Sequence, residues 1–124
     1  MSFFVRHTRK IVCVARNYHE HIKELGNDVP EKPFFFLKPA SSLLPSPGPI
    51  LLPVHTGGVT DCHHEVELAL VIKRLCSNVS EVEAMDYVKG YALAIDVTDR
   101  TLQNLAKKQG RPWTESKGNF CLNL

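Results

Sequence analysis

The alternation of apolar and polar residues predicts a chain that is built mainly of strands. Short runs rich in Val, Ile, Phe and Leu, separated by Gly, Pro and Ser, are typical of strands rather than helices. Such runs occur at residues 10–15, 33–37, 50–54, 64–73 and 90–97. Between the second and third runs, residues 38–49 are rich in Pro, Ser and Gly and fit neither period, which favours an irregular connection.

Three segments between these runs predict helices. Residues 18–26 read as a short helix that ends at Gly26, and Ser80 with Glu83 has the spacing of a capping box that opens a second helix. The third helix covers residues 99–109, with Thr98 as a possible N-cap and a stop at Gly110. Because strands outnumber helices and would pair non-locally, we expect an α+β, mainly β fold of roll type.

Two acids interrupt the longest apolar run. Glu65 and Glu67 are two residues apart, so in a strand they stand side by side on one face. Two ionised carboxylates on a partly buried face repel each other and lose hydration unless a cation joins them, and a divalent ion that prefers oxygen ligands would do so. The alternative is a strand whose glutamate face looks into water while its other face is buried, namely Val66, Leu68, Leu70 and Ile72.

A third acid, Asp96, lies near the end of the last predicted strand. Alanines at positions 92 and 94 share its face and leave room beside the carboxylate. Arg100 and Gln103 are three apart in the following helix and so share one helix face. This arrangement suits an anionic, oxygen-rich small molecule, although the position of Asp96 taken alone favours a helix-capping acid over a ligand.

The length, charge and cysteine content of the chain indicate which classes of protein it fits. The chain has 124 residues, which is one small domain, and its net charge of +2 without a basic stripe does not favour a nucleic-acid partner. Its apolar runs are too short for a membrane span. The four cysteines lack C-x-x-C spacing and read as reduced thiols of an intracellular protein.

A zinc site of deaminase type is a further alternative. It would use the His63-x-Glu65 spacing together with Cys62 and Cys76. That signature also needs a Pro-Cys-x-x-Cys segment to complete the sulfur ligands, and the sequence has none. The sequence therefore favours the all-oxygen interpretation of Glu65.

The ordered set of motifs resembles the fumarylacetoacetate hydrolase family, and most closely its acylpyruvase and oxaloacetate decarboxylase branch. Each motif alone is weak, but their order and spacing together are specific from about residue 10 to Lys117. The motifs are Arg16-Asn17-Tyr18 with His21 and Glu24, Phe36-Leu37-Lys38-Pro39, His64-Glu65-Val66-Glu67-Leu68-Ala69, Tyr87-Val88-x-Gly90-Tyr91, Asp96-Val97-Thr98-Asp99-Arg100 with Gln103, and Pro112-Trp113 with Lys117.

The resemblance implies a fumarylacetoacetate-hydrolase-like β-roll and metal-dependent hydrolysis of acylpyruvates, or decarboxylation or tautomerisation of oxaloacetate. It implies that Mg²⁺ or Mn²⁺ is bound by Glu65, Glu67 and Asp96. It implies that His21, Glu24 and Lys117 are catalytic, with the His–Glu pair deprotonating the attacking water. It assigns substrate binding to Arg16, Lys38, Arg100 and Gln103.

Three of these assignments, those of His21, Glu24 and Lys38, also have an alternative without a function in catalysis or binding. His21 and Glu24 also fit an ordinary pair on a solvated helix, and Lys38 also fits a solvated lysine after an apolar strand. Trp113 is expected to pack over the last helix. The resemblance further implies a small 2-oxo acid as substrate, a homodimer, no nucleic-acid or membrane partner, and a mitochondrial or cytoplasmic location.

The chain departs from the family pattern after Lys117. We expect residues 1–117 to be the N-terminal part of a catalytic domain and residues 118–124 to be a non-homologous tail, so that the β-roll is incomplete. Ala15 stands where the family usually has Gly, which bears only on local backbone geometry. The alternative function is a truncated, non-catalytic family member that binds metal or pairs with a full-length homologue.

Overall fold

The computed structural model describes residues 6–24, 26, 28–52, 54–55, 58–59, 61–118 and 122–123. The strands are β1 (Lys10–Ala15), β2 (Phe34–Pro39), β3 (Leu43–Leu44), β4 (Val54–His55), β5 (Gly58–Val59), β6 (Cys62–Ile72), β7 (Val88–Asp99) and β8 (Leu122–Asn123). The α-helices are α1 (His19–Glu24), α2 (Arg100–Gln109) and α3 (Thr114–Gly118), and two 3₁₀ turns cover Ala40–Ser42 and Ala84–Tyr87. In the described ranges no helix is long and apolar enough to cross a membrane.

The long antiparallel pair β6–β7 is the centre of the fold. It belongs to a four-stranded sheet in the order β3-β8-β7-β6, in which β3 and β8 run parallel and the other neighbours antiparallel. A separate two-stranded sheet pairs β1 with β2 antiparallel, and β4 with β5 forms a third small pair. This mixture of strands with few helices is the predicted α+β, mainly β class.

The two faces of β6–β7 differ in burial and in polarity. The inner face is less exposed and carries Glu65, Glu67, Ala69, Ala94 and Asp96. The outer face carries large apolar side chains that are between 49% and 71% exposed, namely Val66, Leu68, Leu70, Ile72, Tyr91 and Leu93. The alternative in which these apolar residues are buried and the glutamates face water is therefore wrong.

The β1–β2 sheet repeats this division. Its less exposed side holds Cys13, Ala15, Phe36 and Lys38, while its other side exposes Val12, Val14, Phe35 and Leu37. Lys38 reaches from this sheet to the inner face of β6–β7, and α3 packs against both β2 and β7. The best buried part of the described chain thus lies around charged side chains rather than around an apolar core.

The junction of β7 and α2 follows ordinary capping chemistry. Asp99 is the N-cap, and its carboxylate accepts a hydrogen bond from the Leu102 amide at 2.9 Å. The predicted Thr98 cap is therefore one residue too early, and Asp96 is not a capping acid. Gly110 ends the helix with a φ of 64°, a left-handed conformation that costs glycine little.

Two predicted elements are wrong. Residues 50–52 form no strand, and β4 begins only at Val54, because prolines at 49 and 53 flank the apolar triplet and lack the amide that a ladder needs. The predicted helix after Ser80 is only a turn and the 3₁₀ segment Ala84–Tyr87, although the Glu83 amide donates to the Ser80 hydroxyl at 3.4 Å as a capping box implies. β7 begins at Val88, directly after the 3₁₀ segment.

The segment 38–49 is more ordered than expected. It begins inside β2, which extends to Pro39, and then contains the first 3₁₀ turn and β3. The other predicted strands are confirmed with small shifts of their ends, because their alternation is continuous and their flanking turns are clear. The helix predicted to end at Gly26 is observed over His19–Glu24, and Gly26 has a φ of 61°.

Candidate active site

Strand register brings the three predicted metal-binding acids to one face. Glu65 is paired with Asp96 across the β6–β7 ladder, and Glu67 is paired with Ala94, two residues before Asp96 on the same face. Directly opposite residues in an antiparallel pair have neighbouring side chains. The inner face therefore presents the carboxylates of Glu65, Glu67 and Asp96 toward a common space.

Lys117 joins two of these acids. Its ammonium nitrogen donates to Glu65 Oε2 at 2.6 Å, to Asp96 Oδ2 at 2.7 Å and to the Thr98 hydroxyl at 2.6 Å. The residue is only 2% exposed, and its ammonium lies 4.9 Å from the centre of the Phe36 ring. All three donors of the ammonium are thus used, as the burial of a charged group requires.

Lys38 occupies the other side of Asp96. Its ammonium donates to Asp96 Oδ1 at 2.6 Å and to the Val97 carbonyl at 3.4 Å, and the residue is 1% exposed. The interpretation of Lys38 as a solvated lysine is therefore wrong. Asp96 is held between two buried ammonium groups, each bound to one of its carboxylate oxygens.

Arg100 closes the cluster from the start of α2. Its guanidinium donates to Glu65 Oε1 through one nitrogen and to Gln103 Oε1 at 2.6 Å through another, so the predicted shared helix face of Arg100 and Gln103 is confirmed. The same side chain lies 3.5 Å from His63 Nδ1. Its Nε is buried and, within the described residues, makes no hydrogen bond, which leaves one donor in the cluster unused.

The two glutamates have opposite pKa shifts. Burial alone would raise the pKa of Glu65, but the nearby Lys117 and Arg100 charges and their hydrogen bonds outweigh it and hold the pKa below its usual range. Burial raises the pKa of Glu67, and the like charges of Asp96 and Glu65 add to this, against a hydrogen bond from Tyr18. Among the residues that the structure describes, Glu67 is the one of the three carboxylates without an ion pair to a lysine or arginine.

A cavity of about 300 Å³ opens beside the cluster. It is lined by Tyr18, His21, Glu24, His63, His64, Glu65, Val66, Glu67 and Arg100. The predicted pair His21 and Glu24, on α1, thus lies on the wall of the cavity that the metal-binding acids also face. His21 is half-buried and Glu24 is exposed, so the role as a proton-transfer pair and the alternative of an ordinary pair on a solvated helix both stay predictions.

Arg16 does not line the cavity that His21, Glu65 and Arg100 line. It lines a different groove, next to Val14, Asn17 and Pro33, and its guanidinium donates to the Asp28 carbonyl at 3.4 Å. The residue has a φ of 52°, which is uncommon for a side chain larger than glycine. Its assignment to substrate binding stays a prediction that this geometry does not support directly.

Two residues of the cluster, Thr98 and Tyr18, were given no role in the site from the sequence, although both belong to the motifs that carry the family resemblance. Thr98 accepts from Lys117 and is fully buried, and the Tyr18 hydroxyl links α1 to β6 by accepting from the Leu68 amide at 3.2 Å. Thr98 shares the inner face with Asp96, so the two-residue spacing was a usable signal. Tyr18 precedes α1, and no local pattern relates it to β6.

Trp113 supports the site rather than covering a ligand. Its ring contacts the rings of Phe34 and Phe36 at centroid distances of 6.0 and 5.5 Å, and the Lys107 ammonium lies 5.3 Å from its centre. The expected packing against α2 is thus limited to Lys107, and the main contact is with β2. Lys117 is four residues after Trp113, and its amide donates to the Trp113 carbonyl at 3.0 Å. The packing of Trp113 therefore fixes the position of Lys117 on α3.

The carboxylates do not form a ready metal cage. Among the residues that the structure describes, no group of three His, Cys, Asp or Glu side chains is arranged to hold a metal ion. The reason is visible in the contacts, because the oxygens of Glu65 and Asp96 are bound to Lys38, Arg100 and Lys117. The zinc alternative also finds no support in this geometry.

Comparison with known proteins agrees with this site. The family model described as "Fumarylacetoacetate (FAA) hydrolase C-terminal" matches residues 10–122. The chain is 52% identical to a mitochondrial oxaloacetate decarboxylase of Dictyostelium discoideum over 98% of this chain and 56% of that protein. It is 56% identical to a mitochondrial oxaloacetate tautomerase of Arabidopsis thaliana over 88% of this chain and 48% of that protein.

Solved structures show the same fold. A fumarylpyruvate hydrolase from Pseudomonas aeruginosa, in complex with Mn²⁺ and pyruvate, superimposes with a TM-score of 0.78 at 33% identity over 94% of this chain and 52% of that one. The chain therefore spans about half the length of the relatives it matches. The names of the curated relatives support the mitochondrial one of the two expected locations.

Proposed function

Because the chain belongs to the fumarylacetoacetate hydrolase family, we propose that it carries the site of a divalent-metal-dependent enzyme acting on small 2-oxo acids. The reaction is decarboxylation or tautomerisation of oxaloacetate, with hydrolysis of acylpyruvates as a related activity. The observation that carries the proposal is the register of β6 and β7, which aligns Glu65 with Asp96 and sets Glu67 on the same face.

The donor set fits a hard divalent cation. Glu65, Glu67 and Asp96 offer only carboxylate oxygens, the ligands that Mg²⁺ and Mn²⁺ prefer. A cation already occupies this space, since the Lys117 ammonium bridges Glu65 and Asp96. A bound Mg²⁺ or Mn²⁺ would supply Lewis-acid stabilisation of negative charge that develops on the substrate oxygens.

The cationic side chains of the cluster would bind the substrate's oxygens. Arg100 has a buried donor without a partner among the described residues, and Gln103 holds its guanidinium in place. Lys38 and Lys117 place two ammonium groups in a nearly water-free region, where they stabilise a carboxylate or a developing oxyanion more strongly than in water. These residues therefore orient an acidic substrate toward the carboxylate face.

His21 is the group best placed to move a proton. It lies on the cavity wall with Glu24, three residues further along α1, and both face the space shared with Glu65 and Glu67. Imidazole is the most common proton-transfer group of enzymes, and a neighbouring carboxylate can orient the ring. His21 would take a proton from water or from the substrate carbon, with Glu24 as its positioning partner.

Turnover by the purified chain tests the proposal. Oxaloacetate and acetylpyruvate are supplied with Mg²⁺ or Mn²⁺, and carbon dioxide release is measured separately from keto–enol conversion followed by ultraviolet absorbance. Metal-dependent turnover that is lost in Glu65→Gln and Glu67→Gln but kept in Glu81→Gln, an exposed glutamate outside the site, is the expected result. Turnover that is unchanged by chelation and by these variants would refute the proposal.

Association of two copies belongs to the same proposal. The outer faces of both sheets expose large apolar side chains, among them Phe35, Leu37, Leu68 and Leu93. Contiguous exposed apolar surface of this kind is typical of an interface between protein chains. Sedimentation velocity should show a dimer at micromolar concentration, and a monomer throughout would contradict this part.

A non-catalytic role is the second candidate. It is favoured by the exposed apolar faces, which suit pairing with a homologous chain. The same turnover assay separates the two roles, because a folded chain that binds Mn²⁺ yet turns over neither substrate is a binding protein. Co-purification with a full-length homologue would then identify its partner.

A further inference from the structure

The charges of the inner cluster are balanced without a metal ion. Three carboxylates, those of Glu65, Glu67 and Asp96, face three cations, those of Lys38, Arg100 and Lys117. Glu67 and the two partnered acids are close enough for their charges to raise the Glu67 pKa, so the cluster is one electrostatic unit. Adding a dication to this unit would leave a buried excess of positive charge, which is costly in a low-dielectric region.

Lys117 differs from the other two cations in its position. Its ammonium lies at 2.6 and 2.7 Å from oxygens of Glu65 and Asp96, while Mg²⁺ lies about 2.0–2.1 Å from its ligands. An ion bound to both of these oxygens from the side where the ammonium lies would come within about an ångström of its nitrogen, so the two cations cannot share that side. Lys38, by contrast, touches only the opposite oxygen of Asp96 and a carbonyl, so it leaves the shared space free.

We propose that Lys117 and the divalent metal exclude each other, so that the Lys117 ammonium holds Glu65 and Asp96 together in the metal-free chain and must leave when the ion binds. This inference rests on the proposed metal site and describes how Lys117 would control the binding of the metal there. The lysine is on the short helix α3 with its amide bonded to the Trp113 carbonyl, so the flexible side chain can swing while the backbone stays fixed.

Once displaced from Glu65 and Asp96, the Lys117 ammonium would also be available to bind the substrate. An ammonium that leaves the carboxylates in a buried site needs a new anionic partner. A 2-oxo acid carries one carboxylate, and a dicarboxylic 2-oxo acid carries two. The two carboxylates would cancel the excess positive charge that the metal ion brings. Metal and a dianionic substrate analogue are therefore expected to bind cooperatively to this chain.

Mn²⁺ affinity of the whole 124-residue chain tests the exclusion. Binding is measured by electron paramagnetic resonance of free Mn²⁺ and by calorimetry for the wild type, Lys117→Met and Lys38→Met. Lys117→Met should bind Mn²⁺ roughly tenfold or more tightly than the wild type, because a competing cation is removed. Lys38→Met is the matched control, since it deletes a second buried ammonium from Asp96 without emptying the space between the two acids.

Three further outcomes make the test decisive. Equal gains in Lys117→Met and Lys38→Met would indicate a general charge effect and overturn the exclusion, as would unchanged or weaker binding in Lys117→Met. If Lys117→Met does not fold by circular dichroism, Lys117→Gln replaces it with the same expectation. Absence of Mn²⁺ binding by the folded wild type and by both folded lysine variants would instead refute the proposed metal site itself.

A chemical readout checks the movement directly. In the wild type, Lys117 should be protected from acetylation by acetic anhydride without metal and should become more reactive when Mn²⁺ is added, as followed by mass spectrometry of its peptide. Exposed Lys23 serves as the internal reference, because its pairing with Glu20 lies on the surface of α1. Mn²⁺ binding without any change in Lys117 reactivity relative to Lys23 would count against displacement.

Discussion

The two faces of the β6–β7 pair reverse the usual division between inside and outside. The inner face carries carboxylates and is covered, whereas the outer face carries Leu68, Leu93 and their neighbours and is open. The inner face is buried because its carboxylates have cationic partners and not because it is hydrophobic. These partners, Lys38, Lys117 and Arg100, come from three other elements and neutralise the carboxylates. The comparison shows that alternation identifies two faces of a strand but does not identify which one is covered.

The largest effect is expected from Asp96→Asn. This change removes the shared partner of two buried ammonium groups, so the free energy of unfolding should fall by about 3–5 kcal/mol. Urea denaturation followed by circular dichroism measures it. The control is Asp61→Asn, which breaks an exposed contact with His63 and should cost at most about 1 kcal/mol. Equal costs at the two positions would mean that the inner face is solvated.

Neighbouring residues on β7 provide a sharper comparison. Ala94 is 1% exposed on the inner face and Leu93 is 71% exposed on the outer face. Ala94→Leu should destabilise the chain by about 1–3 kcal/mol through overpacking, whereas Leu93→Ala should change stability by no more than about 0.5 kcal/mol. If Leu93→Ala proves the more damaging in thermal melts at protein concentrations that keep the chain monomeric, the inner face is not the covered one.

Cys13 probes the inner side of the β1–β2 sheet. Burial, with the Asp96 charge, raises the pKa of its thiol from 9.0 to about 11. The unfolded thiol therefore ionises first, so this group's contribution to stability is present below pH 9 and is lost as the pH rises from about 9 to 11.

Cys13→Ala should lose less stability than the wild type over that window in urea titrations. At pH 8, iodoacetamide should modify Cys13 more slowly than the exposed Cys76. Parallel pH curves for the two proteins, or equal modification rates at the two thiols, would contradict the burial of this side of the sheet.

The smallest effect on stability is expected on the outer face itself. Leu68 and Leu93 are directly opposite each other, and replacing both by Thr keeps residues that favour strands. Stability should change by no more than about 0.5 kcal/mol per site, while self-association measured by sedimentation velocity should weaken. Leu75→Thr with Val82→Thr, at two highly exposed sites outside the sheet, is the matched control. Equal weakening by both pairs would argue against the outer face as an interface.

Much of the candidate site followed from spacing in the sequence. The i, i+2 rule placed Glu65 with Glu67, and the i, i+3 rule placed Arg100 with Gln103, because both rules express local backbone geometry. The capping residue was missed by one position, since Thr98 and Asp99 have similar capping chemistry and only the end of β7 decides between them. The strand predicted at 50–54 failed because flanking prolines outweigh apolar composition.

Contacts between distant segments had no local signal. Lys38 looks like any lysine at the end of an apolar strand, yet it is buried against an acid 58 residues away. Lys117 likewise depends on Trp113 docking against Phe34 and Phe36, which sets the position of α3. The family resemblance indicated that both lysines are near the site, but not that one of them lies between the acids.

The sequence by itself determined the strand periods, the acids that share a face and the helix that follows Asp96, because each depends on residues a few positions apart. Tertiary structure alone decided which face of β6–β7 is covered and which cations neutralise it. The physical reason is that a buried charge is tolerated only beside its partner, and these partners are supplied by elements far along the chain.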